Sequence, residues 1–414
     1  MNIWLFNPSG NIPGESWRPY RNTFIGEVLA EHGHNVTWWT SNFSHYTKEI
    51  RPGNLEKIAV SKGFNINIIP TVPYFKHVSF NRLLFFLLYS YRLYFKTMQE
   101  ENPPDCIITT TPAPGLDYIS VKIARHFGAK HIVDIMDLWP ELFDIMLPQN
   151  LKPLTKVLSI PFHASRKYLF NNVDAVTALS DAYRDIGKMH ATKDGFHSAI
   201  TIFDGIDVSG IRQQAQNQSN NLPISKKSGE IWAVYSGTLG NNYDIDTILD
   251  ASVKLSNKHS KIKIIIAGDG PLKNKVEEFI NSFPIANLAY LGRMQLDDLY
   301  RIYKKCSIGI CPYLSESTVT MPAKIYDYFA FGLPIASSLT GELKNILGKN
   351  QAGVTYNPGN PDSLVETLEN IAGDKGRWSK MSKNAYKLGT EFDGRAQYRK
   401  FVTLIEEICS PKKG

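Results

Sequence analysis

A short segment near residue 320 combines a cation and a carboxylate with residues that suit the start and the end of a helix. Within Met321–Pro334, Lys324 and Asp327 are three residues apart, so in a helix they share one face. Pro322 suits the first helical position, and Gly332 suits the left-handed residue after the last turn. A helix start attracts phosphate through its free N–H groups, a lysine adds charge, and a carboxylate can accept two hydrogen bonds from a ribose diol. The segment therefore predicts either a nucleotide diphosphate site or a surface helix with a chance ion pair.

Glycine-containing loops follow three predicted strands in the same half of the chain. Their residues of interest are Gly237, Thr238 and Gly240 after the first strand, Gly268 and Gly270 after the second, and Gly292 and Arg293 after the third. Glycine lets a backbone approach a diphosphate closely, although each loop taken alone is also an ordinary strand-to-helix turn. Because the carboxyl ends of parallel strands meet at one edge of a sheet, we expect these loops and Lys324 to line one site.

Two further groups of polar residues lie in the first half of the chain. The loop from Gly10 to Arg21 carries a glycine, a tryptophan and cations that could bind a ligand phosphate, and the alternative is a solvated loop; the residues are Gly14, Trp17, Arg18 and Arg21. After the predicted strand His131–Asp134, the acids Asp137 and Glu141 flank Trp139, whose flat face suits a sugar ring. Acids near the end of a buried strand are costly unless they are paired or functional, and Asp137 could instead cap the next helix.

The segment from Tyr74 to Lys96 is rich in aromatic residues and leucine, and it also contains four basic residues. This composition fits a helix lying in a membrane interface, and it equally fits a helix whose apolar residues face the core. The longest apolar run in the segment is Leu83–Tyr89, which is far shorter than the roughly 20 residues of a membrane span. We therefore expect at most peripheral contact with a membrane.

The chain alternates short apolar runs with helical patterns, which predicts α/β folding with two doubly wound parallel sheets. The predicted strands of the first series are Asn2–Phe6, Asn35–Thr40, Ile66–Ile69, Cys106–Thr109, His131–Asp134, Ala175–Ala178 and Ala199–Ile202. Those of the second are Ile231–Tyr235, Lys263–Ile266, Ala289–Leu291, Ile308–Cys311, Pro334–Ser337 and Gly353–Tyr356. The predicted domains are 1–205 and 230–377, joined by a polar linker at 206–229 and followed by a helical segment at 378–414. Two such Rossmann-like domains place their ligands at carboxyl strand ends that face each other across a cleft.

Composition narrows the choice of partners. The net charge of +7 over 414 residues fits a phosphate-bearing substrate or an anionic membrane and does not require nucleic acid. The four cysteines show neither zinc-site spacing nor the density of a disulfide framework, so we expect a reducing cytoplasm and no metal. Residues Met1–Phe6 contain no basic region, and we expect no secretory signal.

Taken together, these motifs resemble bacterial glycosyltransferases of the GT-B fold, family 4. The similar segments are Glu31–Thr37, Thr111–Pro114, Asp137–Glu141, Ala178–Ser180, Asp204–Asp207, Ser236–Gly240, Ala267–Pro271, Leu291–Arg293 and Met321–Pro334, so the resemblance spans essentially the whole chain. The string Asp137–Glu141 is most similar to enzymes that build O-antigen, capsule and exopolysaccharide.

The resemblance implies a retaining transfer of a sugar, usually from a UDP-linked donor and without a metal, to a glycan or lipid-linked glycan acceptor at the inner face of the plasma membrane. It implies that Asp327 holds the ribose, while Lys324 and the helix start behind Pro322 face the diphosphate. Gly268 to Pro271 and the loop that ends at Arg293 would flank the base and ribose. The final helix would return to the first domain, which would hold the acceptor.

The chain departs from the family pattern in three places. The family has two glutamates eight positions apart, whereas this chain has Val319 and Asp327. The loop after Ile231–Tyr235 lacks the family's arginine and lysine, so the positive charge must come from Arg293, Lys324 or Arg18. Met136 replaces a frequent histidine, which leaves Asp137 and Glu141 as the candidates on the side of the reacting sugar. Two alternatives stay open: a non-hydrolysing UDP-sugar 2-epimerase on the same fold, and a non-catalytic nucleotide-binding protein.

Overall fold

A computed structural model describes residues 1–15, 21–53, 56–76, 79–137, 139, 152–216 and 222–410. It divides into two compact units. The first contains Met1–Asp204 and the C-terminal residues from Arg395 onward, and the second contains Gly205–Gly394. Each unit is built on one large β-sheet with helices between its strands, so the predicted α/β class with two doubly wound sheets is confirmed.

The first unit contains ten described strands and five helices before residue 204. The strands are β1 Asn2–Phe6, β2 Asn35–Ser41, β3 Phe43–Ser44, β4 Glu49–Ile50, β5 Lys57–Ser61, β6 Phe64–Ile69, β7 Cys106–Thr111, β8 Lys130–Ile135, β9 Ala175–Ala178 and β10 Ser198–Thr201. The helices are α1 Arg21–Glu31, α2 Phe80–Thr97, α3 Leu116–Phe127, α4 Lys152–Phe170 and α5 Asp181–His190. The eight-stranded sheet has the order β10-β9-β8-β7-β1-β2-β6-β5. Its pairs are parallel except β5 with β6.

The apolar run of β1 is continuous because both faces of this central strand are buried. Ile3 and Leu5 face a core that includes α1, whereas Trp4 and Phe6 face the opposite core with α2. This double burial is why β1 was predictable with its bounds. The edge strand β5 was missed, since its alternate residues are exposed and only half of it carries an apolar signal.

The second unit repeats the architecture with a six-stranded, wholly parallel sheet of order β13-β12-β11-β14-β15-β16. Its strands are β11 Ile231–Ser236, β12 Ile262–Ala267, β13 Leu288–Tyr290, β14 Ile308–Cys311, β15 Ile335–Ser337 and β16 Gly353–Thr355. Its helices are α6 Val208–Gln216, α7 Ile245–Asn257, α8 Lys273–Ser282, α9 Leu296–Lys305, α10 Lys324–Ala330, α11 Glu342–Asn350, α12 Pro361–Gly373 and α13 Lys375–Glu391. The strand order reverses between β11 and β14, which is where ligands bind in such sheets.

The polar segment predicted as a linker contains helix α6. This helix packs against α9 and α10, and the guanidinium of Arg212 donates from Nε to the Ala330 carbonyl at 2.8 Å and from Nη2 to the Tyr386 carbonyl at 2.9 Å. Only Val208, Ile211 and Ala215 supply its buried apolar side. So few apolar positions do not produce a clear helical period in a segment dominated by Gln, Asn and Ser.

The chain passes between the units twice, at neighbouring points of the second unit. The predicted C-terminal helical segment is two helices, because α13 ends at Glu391 and α14, Gly394–Cys409, starts after Asp393. Gly394 N–H donates to the Ile206 carbonyl at 2.8 Å, and a Cβ on Gly205 would lie 2.5 Å from the Phe392 carbonyl oxygen. From Tyr398 onward, α14 buries its apolar face in the core of the first unit.

Candidate functional site

The three predicted glycine loops of the second unit form one continuous backbone surface. Gly237 N–H donates to the Ala267 carbonyl at 2.9 Å, and Gly268 N–H donates to the Gly292 carbonyl at 2.8 Å. A Cβ on Gly268 would lie 1.8 Å from the Gly237 carbonyl oxygen, and one on Gly270 would meet Leu239 O at 2.6 Å. Glycine is therefore required where these loops cross, and the predicted grouping at the carboxyl strand ends is present.

Lys324 lies behind the first of these loops, inside a cage of tyrosine rings. Its Nζ is 4.2 Å from the ring centroid of Tyr235, 4.2 Å from Tyr243 and 5.4 Å from Tyr313. A Cβ built on Gly237, which is exposed, would lie 3.5 Å from the same Nζ. The ammonium has no hydrogen-bond partner among the described residues. A cation thus sits directly under the glycine loop, held by aromatic faces instead of a carboxylate.

Burial lowers the pKa of Lys324 from 10.5 to about 8. The cause is the loss of water around the ammonium, and the nearby thiol of Cys311 opposes it only partly. A buried cation without an ion pair is unfavourable unless it serves an anionic ligand. The arrangement is chemically suited to a diphosphate lying over Gly237.

Asp327 lies in the first turn of α10 and is 4% exposed. The helix begins at Lys324 and not at Pro322, because Ala323 is its N-cap and Pro322 lies one residue outside. Gly332 has φ +65° immediately after the helix, as predicted for a left-handed terminator. Of the other predicted donor residues, Thr238 and Arg293 are exposed, while Gly240 and Gly292 are half-buried in their loops.

A cavity of about 410 Å³ lies in the first unit at the carboxyl ends of β1, β7 and β8. Three of the predicted residues, Arg21, Asp137 and Trp139, form part of its lining, together with Thr111 and Met136. The face of the Trp139 ring carries the guanidinium of Arg82, whose carbon lies 4.6 Å from the ring centroid. The cavity therefore joins strand-end residues with side chains from α2, which the sequence did not connect to the site.

Arg21 lies at the wall of this cavity but has a different role from the predicted one. It is 1% exposed and forms two bonds of 2.8 Å to the carboxylate of Asp134, with a third of 2.7 Å to the Ile202 carbonyl. Thr177 also donates to Asp134 at 2.7 Å. The charges of this buried pair neutralise each other, so Arg21 holds the sheet and α1 together and does not offer a free charge to a phosphate.

The remaining predicted residues lie apart from the cavity or outside the described structure. Gly14 is exposed with φ +88° and does not line the cavity. Its loop is fastened by Arg51, which donates to the Glu15 carboxylate and, at 2.8 Å, to the Gly10 carbonyl. Three predicted residues lie outside the described residues; they are Trp17, Arg18 and Glu141. No group of three or more His, Cys, Asp or Glu residues in the described ranges is arranged to hold a metal ion.

Sequence reasoning missed the three tyrosines that surround the ammonium of Lys324. Tyr235 is the penultimate residue of β11, and Tyr313 follows β14 by two positions. Both therefore come from the two strands that flank the reversal of strand order, and this was the available signal. Tyr243 lies further along the chain and reaches the cage through its pairing with Tyr313, with ring centroids 5.0 Å apart.

Comparison with known proteins shows the type of fold and a similarity of the second unit to one described family. Residues 217–388 match the family described as Glycosyl transferases group 1. An uncharacterised glycosyltransferase of Methanocaldococcus jannaschii is 24% identical over 195 residues, covering 42% of this chain and 48% of that protein. The chain thus matches about half the length of this relative.

Solved structures share the fold over nearly the whole chain. Sucrose-phosphate synthase from Thermosynechococcus elongatus superposes with a TM-score of 0.70 at 14% identity, covering 98% of both chains. Anabaena HepE, solved in complex with UDP, superposes with a TM-score of 0.66 at 12% identity, covering 98% of this chain and 100% of that one. The fold is that of GT-B glycosyltransferases, as the sequence resemblance implied.

Proposed function

We propose that this protein is a retaining glycosyltransferase that takes a sugar from a UDP-linked donor. The acceptor is a precursor of a cell-surface polysaccharide of the O-antigen, capsule or exopolysaccharide type. The observation that carries the proposal is the buried ammonium of Lys324, which has no hydrogen-bond partner in the described part of the chain and lies beneath the exposed glycine loop at Gly237. A nucleotide diphosphate supplies the anion that this site lacks, and Asp327 on the same helix supplies a carboxylate for the ribose hydroxyls.

The chemistry follows from the placement of charge. As the bond between the anomeric carbon and the donor diphosphate breaks, negative charge grows on the leaving phosphate. The ammonium of Lys324, with Arg293 from the neighbouring loop, stabilises that charge. The acceptor hydroxyl attacks from the face that the phosphate leaves and gives its proton to the phosphate oxygen, so the anomeric configuration is retained. Asp137, on the cavity wall of the first unit, is the carboxylate proposed to orient the sugar hydroxyls.

The donor site is tested by Asp327→Ala, with Asp362→Ala as the control. Asp362 is an exposed carboxylate of the same unit, paired with Lys254 at 2.8 Å. Calorimetry with UDP is expected to show at least a tenfold loss of affinity for Asp327→Ala and parent-like affinity for the control. If Asp327→Ala binds UDP like the parent, the donor site has been placed wrongly.

Transfer is separated from epimerisation by supplying the donor alone. Purified protein incubated with UDP-N-acetylglucosamine is expected to give no second nucleotide sugar. Formation of an epimeric UDP-sugar without an acceptor would replace the transferase proposal by the 2-epimerase.

We further propose that α2 contacts an anionic membrane. No helix in the described ranges is long and apolar enough to cross a bilayer. However, α2 exposes one apolar stripe at helical spacing, formed by Phe80, Leu84, Leu87, Tyr91 and Phe95. Three bases, Lys76, Arg92 and Lys96, lie on or beside the same helix. An apolar stripe with neighbouring bases is typical of helices in the plane of an anionic bilayer.

Co-sedimentation with vesicles tests this contact. The parent is expected to bind phosphatidylglycerol vesicles and not phosphatidylcholine vesicles, and Tyr91→Glu is expected to lose most of the binding. Ile285→Glu is the control, because Ile285 is 73% exposed in the other unit. Parent protein that stays in the supernatant with anionic vesicles would contradict the proposal.

A further inference from the structure

Two of the four cysteines meet where the last helix ends against the sheet of the first unit. Cys106 is the first residue of β7, and Cys409 is the last residue of α14. The Sγ of Cys409 donates to the carbonyl of Asp105, the neighbour of Cys106, at 3.9 Å, although Asp105 and Cys409 are 304 positions apart. Cys409 also packs against the core cluster that contains Cys106. The fold thus brings two free thiols together.

The two thiols differ in their access to solvent. Cys106 is fully buried, whereas Cys409 is only partly buried at the end of its helix. A small solute therefore reaches Cys409 before it reaches Cys106. Oxidation of cysteine follows exposure, so Cys409 is the sulfur that reacts first.

The two thiols also differ in acidity. Their mutual hydrogen bond, together with burial, raises the pKa of Cys106 well above its usual range. The same hydrogen bond lowers the pKa of Cys409, and the Lys130 ammonium acts in the same direction. Burial and the carboxylates of Asp105 and Asp174 act against this and do not reverse it. Cys409 is thus the thiol that more readily becomes a thiolate, which is the nucleophilic form.

The other two cysteines provide a comparison. Cys306 and Cys311 are both buried. Burial raises the pKa of each thiol, and that of Cys311 rises to about 12. Because neither has the partly exposed position of Cys409, both are expected to remain thiols under conditions that oxidise Cys409.

We propose that Cys409 and Cys106 form a pair that peroxide oxidises to a disulfide, in which Cys409 is the attacking thiol and Cys106 the resolving thiol. The Cys409 sulfur attacks one oxygen of hydrogen peroxide, the O–O bond breaks, and the leaving hydroxide takes the thiol proton as water. Cys106 then attacks the sulfur of the resulting sulfenic acid. The S–S bond forms, the S–O bond breaks, and the hydroxyl leaves with the Cys106 proton as a second water. Two thiols are oxidised and one peroxide is reduced.

This modification goes beyond the proposed transferase function and does not depend on it. The disulfide joins the end of α14 to the start of β7, and the loop that it closes contains the whole second unit. A cross-link over so long a loop removes much of the conformational freedom of the unfolded chain. The oxidised protein is therefore expected to be more stable than the reduced one, and a dithiol reductant reverses the change.

Mass spectrometry of the whole chain tests the pair. The folded protein is treated with hydrogen peroxide, free thiols are then blocked with N-ethylmaleimide in denaturant, and the chain is digested without reductant. The parent is expected to give one peptide pair joined through Cys106 and Cys409, which dithiothreitol separates, while Cys306 and Cys311 carry maleimide. The control Cys306→Ala is expected to give the same peptide pair.

Two further variants separate the roles of the thiols. In Cys106→Ala the sulfenic acid on Cys409 has no resolving thiol, so we expect dimedone to label Cys409. In Cys409→Ser we expect Cys106 to stay a free thiol. Peroxide treatment is expected to raise the Tm of the parent by about 5 °C or more and to leave that of Cys409→Ser unchanged.

The spectrum of the parent decides the proposal by itself, whether or not a variant folds. Free thiols at both positions after treatment, or a sulfinic acid on Cys409 beside a free Cys106, would overturn the inference. A peptide pair joined through Cys306 or Cys311 would also overturn it. A disulfide between Cys106 and Cys409 that leaves Tm unchanged would refute its stabilising effect.

Discussion

Replacing Lys324 by methionine is expected to stabilise the protein and at the same time weaken its binding of UDP. In the folded protein the pKa of this lysine is lowered from 10.5 to about 8 because the ammonium is buried. At pH 7 the difference corresponds to a penalty of about 3 kcal/mol in the free energy of unfolding. Methionine keeps the length and removes the charge, but it also removes the attraction of the tyrosine rings.

The net gain expected at pH 7 is about 2 kcal/mol, which raises Tm by roughly 4–8 °C for a unit of this size. The size of this gain in stability depends on pH. The unfolded chain binds the proton more tightly than the folded one, so the penalty is fully present below pH 8 and disappears as the pH rises from about 8 to 10.5. The advantage of Lys324→Met over the parent must therefore shrink across that interval.

Thermal unfolding at pH 7 and pH 9.5, with and without UDP, measures both effects. The control is Lys344→Met, since Lys344 is exposed on α11. Without ligand, Lys324→Met is expected to melt above the parent and the control at pH 7. With UDP, the parent gains stability by mass action, and the variant gains less. A variant that melts below the parent at pH 7, or whose advantage is the same at both pH values, would refute the argument that Lys324 is an unfavourably buried cation.

Two other substitutions test the supporting structure. Asp134→Asn leaves the buried guanidinium of Arg21 without its counter-charge, and we expect the free energy of unfolding, measured by chemical denaturation, to fall by about 3–5 kcal/mol. The control Asp181→Asn removes a carboxylate from an exposed ion pair and should change this free energy little. Parent-like stability of Asp134→Asn would contradict the structural role of Arg21. Gly268→Ala places a Cβ 1.8 Å from the Gly237 carbonyl oxygen, which forces the two loops apart, so we expect UDP affinity to fall more than tenfold. Gly348→Ala is the control, because a Cβ there meets no atom within 4 Å. Unchanged UDP affinity of Gly268→Ala would show that the loops are not the donor surface.

Local pattern was sufficient for the framework of both units. Strand β1 was predicted because its residues are buried on both faces, and Gly332 was predicted as a helix terminator because its position requires φ +65°. The loops at Gly237 and Gly268 were predicted to meet because strand order in a parallel sheet places all carboxyl ends on one edge. These properties depend on residues close together in the sequence or on general rules of sheet topology.

Pairing between distant residues was not predictable in the same way. Arg21 was a candidate for binding a ligand phosphate, but its partner Asp134 lies 113 positions away, and only the folded sheet shows that the two charges meet. The segment that forms helix α6 was predicted as a linker because its composition is polar. The sequence did not indicate the helix, because its burial depends on surfaces supplied by α9 and α10. In both cases the local sequence shows the residues themselves, but the partners that decide their role come from distant parts of the chain.

The sequence by itself determined that a lysine and a carboxylate share one helix beside glycine loops. The tertiary structure decided the state of that lysine, because Tyr235, Tyr243 and Tyr313 come from two strand ends and a loop that are separated by up to 78 positions along the chain. A pKa depends on solvent and charge within a few ångströms, and distance along the chain does not report those. The spacing of Lys324 and Asp327 left open a phosphate site or a surface helix with a chance ion pair, and the fold showed that the lysine is a buried cation in an aromatic cage.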